Sequence, residues 1–145
     1  MADISRPVLI GGFILTLISG IVNAVGFLSF AHQGLTHLTG LTTHISMSLS
    51  TGDFVGVIRI SELIFSFVIG AILSGVIIQK STLKLGQHYG IVLIIESVLL
   101  YIAIHFLKQN SLVGECLVAG SCGMQNAMAT SFSGSILRTT HLTGV

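Results

Sequence analysis

The sequence predicts an all-α protein, a polytopic transmembrane helix bundle built on an internal repeat with short broken or re-entrant segments. Composition indicates a membrane protein, because 52% of the 145 residues are hydrophobic and only 8% are charged, whereas soluble domains carry about a quarter charged residues. Long apolar stretches predict membrane-spanning helices, since about 20 apolar residues in a helix cross the hydrocarbon core. Two motifs that each occur twice predict the repeat.

The two repeated motifs keep nearly the same spacing. THLTG at residues 36–40 returns at 140–144, and GIVNA at 20–24 returns as GMQNA at 123–127. We interpret the chain as one transmembrane domain, residues 1–145, with a first repeat over about 8–107 and a second that begins near 112 and is cut short at 145. Such repeats relate the two halves of many transporters, with the substrate site between them.

The first predicted span, residues 8–30, follows Pro7, which favours the opening turn of a helix. Small residues recur at every fourth position in this span, and the second repeat has an equivalent stripe. The stripes are Gly12, Thr16, Gly20 and Ala24, and Ala119, Gly123, Ala127 and Ser131. Such stripes allow close approach of another helix backbone, although membrane helices also tolerate glycine without that contact.

A polar connection at residues 31–40 precedes a short amphipathic helix at 41–50, which ends at residues 51–53. Ten residues rise only about 15 Å, too little to cross the bilayer. We therefore predict a re-entrant or half-membrane element over residues 36–50, because irregular backbone at membrane depth needs protein or water to satisfy its polar groups. A surface loop followed by an interfacial helix is the alternative.

Three more spans follow the short helix. In chain order the predicted elements are the connection 54–59, the span 60–78, the loop 79–88, the span 89–107, the turn 108–111 and the span 112 to about 132. Lys80 and Lys84 make their loop the most cationic one, so the positive-inside rule places it in the cytoplasm. If the 41–50 helix does not cross, three spans separate the two copies and the second is inverted, which we favour. If it crosses, the copies are parallel.

The motifs resemble those of the YoaK family, multi-pass proteins of the bacterial inner membrane without an established activity. The family has G-x-x-(D/N)-A in a first helix and T-G-N after it, then G-x-Q-N-A in a later helix and R-T-T-x-x-T-G. The matching residues are Gly20, Asn23, Ala24, Thr39, Gly40, Gly123, Gln125, Asn126, Ala127, Arg138, Thr139, Thr140, Thr143 and Gly144. The resemblance covers the chain from about residue 20 to its end and implies a helical fold in the inner membrane.

Two positions depart from the family pattern. Asn23 stands where aspartate is common, which removes a charge that could carry a proton, and Leu41 follows Thr39 and Gly40 where asparagine is usual. Members of the family are also longer. The resemblance therefore implies either that the chain is truncated or that a second chain supplies the missing helices.

Asn23 and Asn126 are paired candidates for a substrate site, because each follows a repeated glycine by three residues. A buried amide is costly unless it is hydrogen-bonded, and in an inverted repeat the two amides could meet near mid-membrane. Each could instead bond only to a neighbouring helix. Gln125 joins the predicted site through the family motif.

The two Thr-Gly pairs complete the substrate site predicted on the repeat, which comprises Thr39 and Gly40 with Thr143 and Gly144. A broken helix at these pairs would offer free N–H groups to an anion or free carbonyl groups to a cation. The alternative is a turn in which the glycine takes a positive φ.

Glu96 and Arg138 are the charged candidates. Glu96 is the carboxylate deep inside a predicted span, and an intramembrane acid is a functional hypothesis by default because it is costly. It could bind a proton, pair with Arg138 or a histidine, or be a protonated side chain that is hydrogen-bonded within the bundle. Arg138 could neutralise an anion or anchor the chain by the positive-inside rule. Glu62 and Glu115 lie near span ends, where we expect them at the interface.

Several classes of site are not supported. The histidines near the first motif have no zinc-site spacing, and Cys116 and Cys122 form neither a thiolate metal site nor a disulfide framework. The net charge of +1 and the lack of a basic stripe give no support to nucleic-acid binding. No motif predicts a catalytic nucleophile or a cofactor.

Three functions remain. We favour a small secondary transporter or channel-like carrier in the bacterial inner membrane, with a polar site for a small solute or ion between the repeats. A membrane-embedded enzyme that uses Glu96 with a histidine is the second, and a structural or assembly subunit is the third. The expected partners are the lipid bilayer and either a second copy of the chain or another chain with the missing helices.

Overall fold

The computed structural model describes residues 6–28, 38–78 and 87–132, which form five α-helices and no strand. The helices are α1 (Arg6–Leu28), α2 (Leu38–Thr51), α3 (Phe54–Ile78), α4 (Gln87–Leu107) and α5 (Leu112–Phe132). The predicted all-α class is confirmed for this part of the chain. Within it, the segments Phe54–Ile78 and Tyr89–Leu107 are long and apolar enough to cross a membrane.

The helix bounds match the prediction at α5 and differ elsewhere. The polar connection does not run to Gly40, because α2 already begins at Leu38 and includes Thr39 and Gly40 in its first turn. The predicted connection at 54–59 is also wrong, since these residues form the first turns of α3. α4 begins at Gln87, inside the predicted loop.

α2 tolerates its many threonines and serines because their hydroxyl groups bond back to the helix. Thr42 and Thr43 donate to the carbonyl oxygen of Thr39, at 2.9 and 3.0 Å, and Ser46 donates to that of Thr42 at 3.2 Å. Such bonds satisfy hydroxyl groups without a partner outside the helix. The polar composition therefore does not break the helix.

The α2–α3 and α4–α5 connections share two structural features, a positive-φ residue that ends the first helix and a side chain that caps the second. Gly52 and Asn110 take positive φ angles of 74° and 55° after the last helical residues, and the N–H groups of Asp53 and Ser111 bond to carbonyl oxygens five residues earlier. This is the Schellman arrangement. Asp53 and Ser111 then cap the following helices, with the Asp53 carboxylate accepting from the N–H of Gly56 at 3.0 Å.

α3 and α5 are the most closely packed pair and meet backbone to backbone. A Cβ atom added at Gly70 would overlap the carbonyl oxygen of Gly120, and one added at Gly123 would overlap that of Phe67. Small residues in both helices thus permit this approach. The packing interpretation of the second stripe is confirmed at Gly123.

Two buried apolar clusters divide the bundle along its length. The Leu63 cluster contains residues from α2, α3, α4 and α5, namely Leu41, Ile60, Leu63, Phe67, Ala103, Val118, Ala119 and Cys122. The Met124 cluster consists of Ile78, Val92, Met124 and Met128. α3 and α5 pass from the Leu63 cluster to the Met124 cluster, whereas α4 passes the other way.

The same clusters give the direction of α1. Leu15 packs against the Met124 cluster and Val22 against the Leu63 cluster. α1 therefore runs opposite to α3 and α5. The two helices that carry the GIVNA and GMQNA motifs, α1 and α5, are therefore antiparallel.

α2 reaches only one of the two clusters. Leu41 is fully buried in the Leu63 cluster, and Leu38 and Ile45 pack against the same cluster. Its 14 residues rise about 21 Å, and it doubles back on α3 through the turn at Gly52. α2 thus covers about half of the length of α3.

Candidate functional site

Buried polar side chains lie where the two apolar clusters meet. We call Ser74, Glu96, Cys122 and Gln125 the polar layer; they are 0%, 6%, 6% and 4% exposed. Ser74 lies between Phe67 and Ile78 along α3, and Glu96 lies between Val92 and Ala103 along α4. Cys122 belongs to the Leu63 cluster and Met124, two residues later, to the other cluster. The layer thus marks the middle of the bundle.

Ser74 differs from the other serines whose bonds the structure gives. Ser61, Ser97 and Ser121 donate to carbonyl oxygens four residues earlier, at 2.7, 2.7 and 2.9 Å. The Ser74 hydroxyl oxygen is fully buried and has no hydrogen-bond partner in the described structure. A buried hydroxyl group without a partner loses its hydrogen bonds to water and gains none in exchange. Burial of the Ser74 hydroxyl group therefore destabilises the fold.

Glu96 also has a buried polar atom without a hydrogen-bond partner, in this case a carboxyl oxygen. Its Oε2 atom is buried and has no hydrogen-bond partner among the described residues. The thiol of Cys122 on α5 lies close to the carboxyl group. An ionised carboxylate in such surroundings is very costly unless a proton, a cation or a hydrogen-bond donor neutralises it.

The predicted amide pair is distributed over both clusters. Asn23 follows Val22, which packs against the Leu63 cluster, and Asn126 lies between Met124 and Met128 of the other cluster. Both side chains are half-buried and both have an interaction partner. Asn23 thus follows a residue that packs on the Leu63 cluster, whereas Asn126, like the adjacent Gln125, lies beside the Met124 cluster.

The Thr-Gly motifs divide between described and undescribed residues. Thr39 and Gly40 are exposed and lie in the first turn of α2. Gly40 is therefore helical, and it does not take the positive φ of the turn that was the alternative to a broken helix. The helix has no break at this pair. Arg138, Thr143 and Gly144 lie outside the described residues, as do residues 29–37 before α2.

Sequence reasoning missed an ion pair between α3 and α5. The guanidinium group of Arg59 donates to both carboxylate oxygens of Glu115, with an Nε–Oε2 distance of 3.2 Å. The Glu115 side chain is 3% exposed and that of Arg59 is 43% exposed. Glu115 lies in the first turn of α5, close to the predicted end of the span, and its side chain is buried against Arg59. A single arginine in the apolar stretch of α3 was the available signal.

Arg59 also lines two cavities at this end of the bundle. One, of about 380 Å³, lies beside Glu62 and Asn110, and the other, of about 190 Å³, lies beside Asp53 and Glu115. Three carboxylates, Asp53, Glu62 and Glu115, line these cavities together with one guanidinium group, so the site does not favour an anion. Nor do the described side chains form a group of three metal-ligating residues.

Comparison with known proteins identifies the family and adds no individual relative. No curated protein and no solved structure matches the chain. A family model described as a protein of unknown function (DUF1275) matches residues 11–145, and membership of the YoaK family is consistent with this match. The chain therefore belongs to the DUF1275 family.

Proposed function

We propose that the chain is a multi-pass protein of the bacterial inner membrane that acts as a small secondary carrier, with Glu96 as the group that binds a proton or a cation. The observation that carries this proposal is the pair of buried atoms, Glu96 Oε2 and Ser74 Oγ, that have no hydrogen-bond partner in the described structure. They lie in the middle of a bundle with apolar clusters on both sides. The polar layer is the place where a small cation or polar solute would be held.

The exposed surface supports a bilayer environment. Large apolar side chains face outward on α1, α3 and α4, including Phe13, Phe65, Ile94 and Tyr101, which are 66–77% exposed. Soluble monomers rarely expose contiguous apolar patches of this extent. In a membrane, lipid chains cover such a surface.

Helix directions support the carrier architecture. The antiparallel course of α1 and α5 is the relation that an inverted repeat requires, and a short α2 that contacts one cluster fits a half-membrane element. Carriers of this type place their sites near the midplane, between the repeats. For an enzyme that uses Glu96 with a histidine, His105 on the same helix gives no support, because it contacts Gln109 and Phe106.

Carbodiimide labelling tests the binding role of Glu96. Dicyclohexylcarbodiimide reacts with protonated carboxyl groups in apolar surroundings, so purified protein should gain one adduct, located at Glu96 by peptide mass spectrometry. Labelling should increase as the pH falls. It should be absent in Glu96→Gln and unchanged in Glu115→Gln, because the Glu115 carboxylate is occupied by its contact with Arg59. Labelling of the Glu96→Gln protein at the wild-type rate would refute the assignment.

Added salts separate a proton site from a cation site. If Glu96 binds a metal cation, NaCl, LiCl or KCl should slow labelling at constant pH and ionic strength, and choline chloride should not. In proteoliposomes with an imposed pH gradient, the same cation should release protons, as reported by a pH-sensitive dye. Glu96→Gln should abolish the release. Equal dye responses for wild type, Glu96→Gln and empty liposomes would contradict a carrier coupled to these ions.

A further inference from the structure

Glu96 is the member of the polar layer that can carry a negative charge at neutral pH. Ser74, Cys122 and Gln125 contribute a hydroxyl group, a thiol and an amide, and a thiol stays uncharged at neutral pH unless a positive charge or a metal ion draws off its proton. The charged group beside the Cys122 thiol is the carboxyl group of Glu96, which does the opposite. The ionised layer therefore holds a single negative charge.

The other charged residues of the described helices stand away from the polar layer. Three carboxylates line the cavities beside Arg59 at the end of the bundle, namely Asp53, Glu62 and Glu115. α5 has no basic residue, and the basic residue of α3 is Arg59, which binds Glu115. The remaining basic residues of the described chain stand in the terminal turns of α1 and α4, just after α4, or on α2, namely Arg6, His44, His88, His105 and Lys108. No described basic side chain thus forms an ion pair with Glu96.

A single buried negative charge selects the valence of its occupant. One proton or one monovalent cation neutralises the carboxylate of Glu96, whereas a divalent cation would leave one positive charge buried without compensation. Transfer of an ion from water into an apolar interior is costly, and this cost rises with the square of the ionic charge. The charge balance of the polar layer therefore favours a monovalent occupant.

The donor atoms of the polar layer favour the same class of ion. Glu96, Ser74 and Gln125 supply two carboxylate oxygens, one hydroxyl oxygen and one amide oxygen, fewer than the roughly six to eight oxygen ligands that Ca²⁺ and Mg²⁺ take. Softer divalent ions such as Zn²⁺ prefer thiolate and imidazole ligands, and the described side chains form no group of three metal-ligating residues. Neither kind of divalent ion finds its usual ligands here.

We propose that the Glu96 site holds either one proton or one monovalent metal cation, so that the carrier exchanges the two one for one without moving net charge across the membrane. When the cation binds, the proton leaves the carboxyl oxygen for water, and the layer is neutral in both states. Cys122 sets the charge selectivity, because its uncharged thiol occupies the place beside Glu96 where a second carboxylate would admit a divalent ion. This assignment rests on the cation-binding role proposed above for Glu96.

Carbodiimide labelling of Glu96 in the purified full chain measures the selectivity. At constant pH and ionic strength, NaCl, LiCl or KCl should halve the labelling rate at a concentration at least tenfold below that of MgCl₂ or CaCl₂. In Cys122→Asp, two neighbouring carboxylates balance two positive charges, so MgCl₂ or CaCl₂ should protect Glu96 at least tenfold better than in wild type. Circular dichroism checks the fold, and Gln125→Glu, which adds a carboxylate to the layer with little change of volume, replaces Cys122→Asp if that variant does not fold.

Cys116→Asp is the matched control for Cys122→Asp. Cys116 is the other cysteine of α5, but it is half-buried beside Ser66 and near Glu62, away from the polar layer. A carboxylate at this position should leave the protection of Glu96 by MgCl₂ or CaCl₂ at the wild-type level. An equal gain of protection in Cys116→Asp and Cys122→Asp would overturn the role of Cys122.

Proteoliposomes with an imposed pH gradient measure whether net charge moves. Proton release driven by NaCl should have the same rate with and without a membrane potential set by potassium and valinomycin. A rate that changes several-fold with the potential, or equal protection of wild type by MgCl₂ and NaCl, would overturn the proposal. Labelling of Glu96 that responds to pH but to none of the monovalent salts would refute the exchange and leave proton binding intact. Absence of label at Glu96 would instead refute the function proposed for that residue.

Discussion

Arg59 on α3 binds both carboxylate oxygens of Glu115 on α5, and the two partners differ strongly in exposure. The carboxylate is 3% exposed, whereas 43% of the arginine side chain is accessible. Removing one partner of a buried ion pair leaves the other charge uncompensated. The loss in free energy of unfolding should therefore depend on which partner is removed.

Arg59→Met should destabilise the protein by about 3 kcal/mol, because the Glu115 carboxylate stays buried without its partner. Glu115→Gln should cost only about 1 kcal/mol, since Arg59 can turn towards its exposed side and the amide can still accept one hydrogen bond. Denaturant unfolding in detergent micelles, followed by circular dichroism, measures both values. The double variant Arg59→Met with Glu115→Met should recover most of the loss. Equal losses in the two single variants would contradict the asymmetry.

Backbone contact between α3 and α5 makes Gly70 intolerant of a side chain. Gly70→Ala places a methyl group on the carbonyl oxygen of Gly120, and overpacking of this kind costs about 1–3 kcal/mol. Gly75→Ala, five residues further along α3, meets no described atom within 4 Å. It should be neutral or should stabilise the helix by up to about 1 kcal/mol, as alanine does in place of glycine.

The same unfolding assay compares the two alanine variants. Their difference isolates the interhelical contact, because both add one methyl group to the same helix. Similar unfolding free energies for Gly70→Ala and Gly75→Ala would mean that α3 and α5 do not meet backbone to backbone.

The turn at Gly52 and Asp53 joins α2 to α3 and can be tested at each residue. Gly52 has a φ of 74°, so Gly52→Ala should cost about 1 kcal/mol because a Cβ atom disfavours this conformation. Asp53→Ala should cost about 1 kcal/mol through loss of the helix cap, whereas Asp53→Asn keeps an acceptor and should cost little. Unfolding midpoints of the three variants check this order, and an Asp53→Asn protein as unstable as Asp53→Ala would exclude the capping role.

Local pattern was sufficient to predict the helices but not all of their ends. α5 has the predicted bounds because Ser111 and the turn before it are clear local signals. α2 begins three residues before its predicted start, because Thr39 and Gly40 were interpreted as helix breakers although Thr42 and Thr43 bond back to Thr39. Propensity does not reveal such bonds.

The residues of the candidate site could also be predicted only in part from the sequence. Glu96 could be selected from sequence because a carboxylate in an apolar span is conspicuous, and the structure places it in the polar layer. Ser74 could not be selected in this way, because serine is common in membrane helices and its missing partner is visible only in three dimensions. The Arg59–Glu115 pair joins residues 56 positions apart, and neither residue's local sequence names the other.

Ser74 allows stability and function to be separated. Its hydroxyl oxygen is fully buried without a partner in the described structure, so Ser74→Ala removes an uncompensated polar group and should stabilise the protein by about 1 kcal/mol. If the hydroxyl group helps Glu96 hold a cation, the same change should weaken the protection of Glu96 against carbodiimide by that cation. We expect unfolding free energy to rise while the concentration of salt needed for half-protection rises several-fold.

Ser121→Ala is the matched control for Ser74→Ala. Ser121 is equally buried, but its hydroxyl group donates to the carbonyl oxygen of Leu117 at 2.9 Å. Alanine at this position should lower stability slightly or leave it unchanged and should not alter cation protection at Glu96. A Ser74→Ala protein that loses stability would mean that the hydroxyl group has a structural partner. One that gains stability with unchanged protection would remove Ser74 from the site and leave Glu96 alone in it.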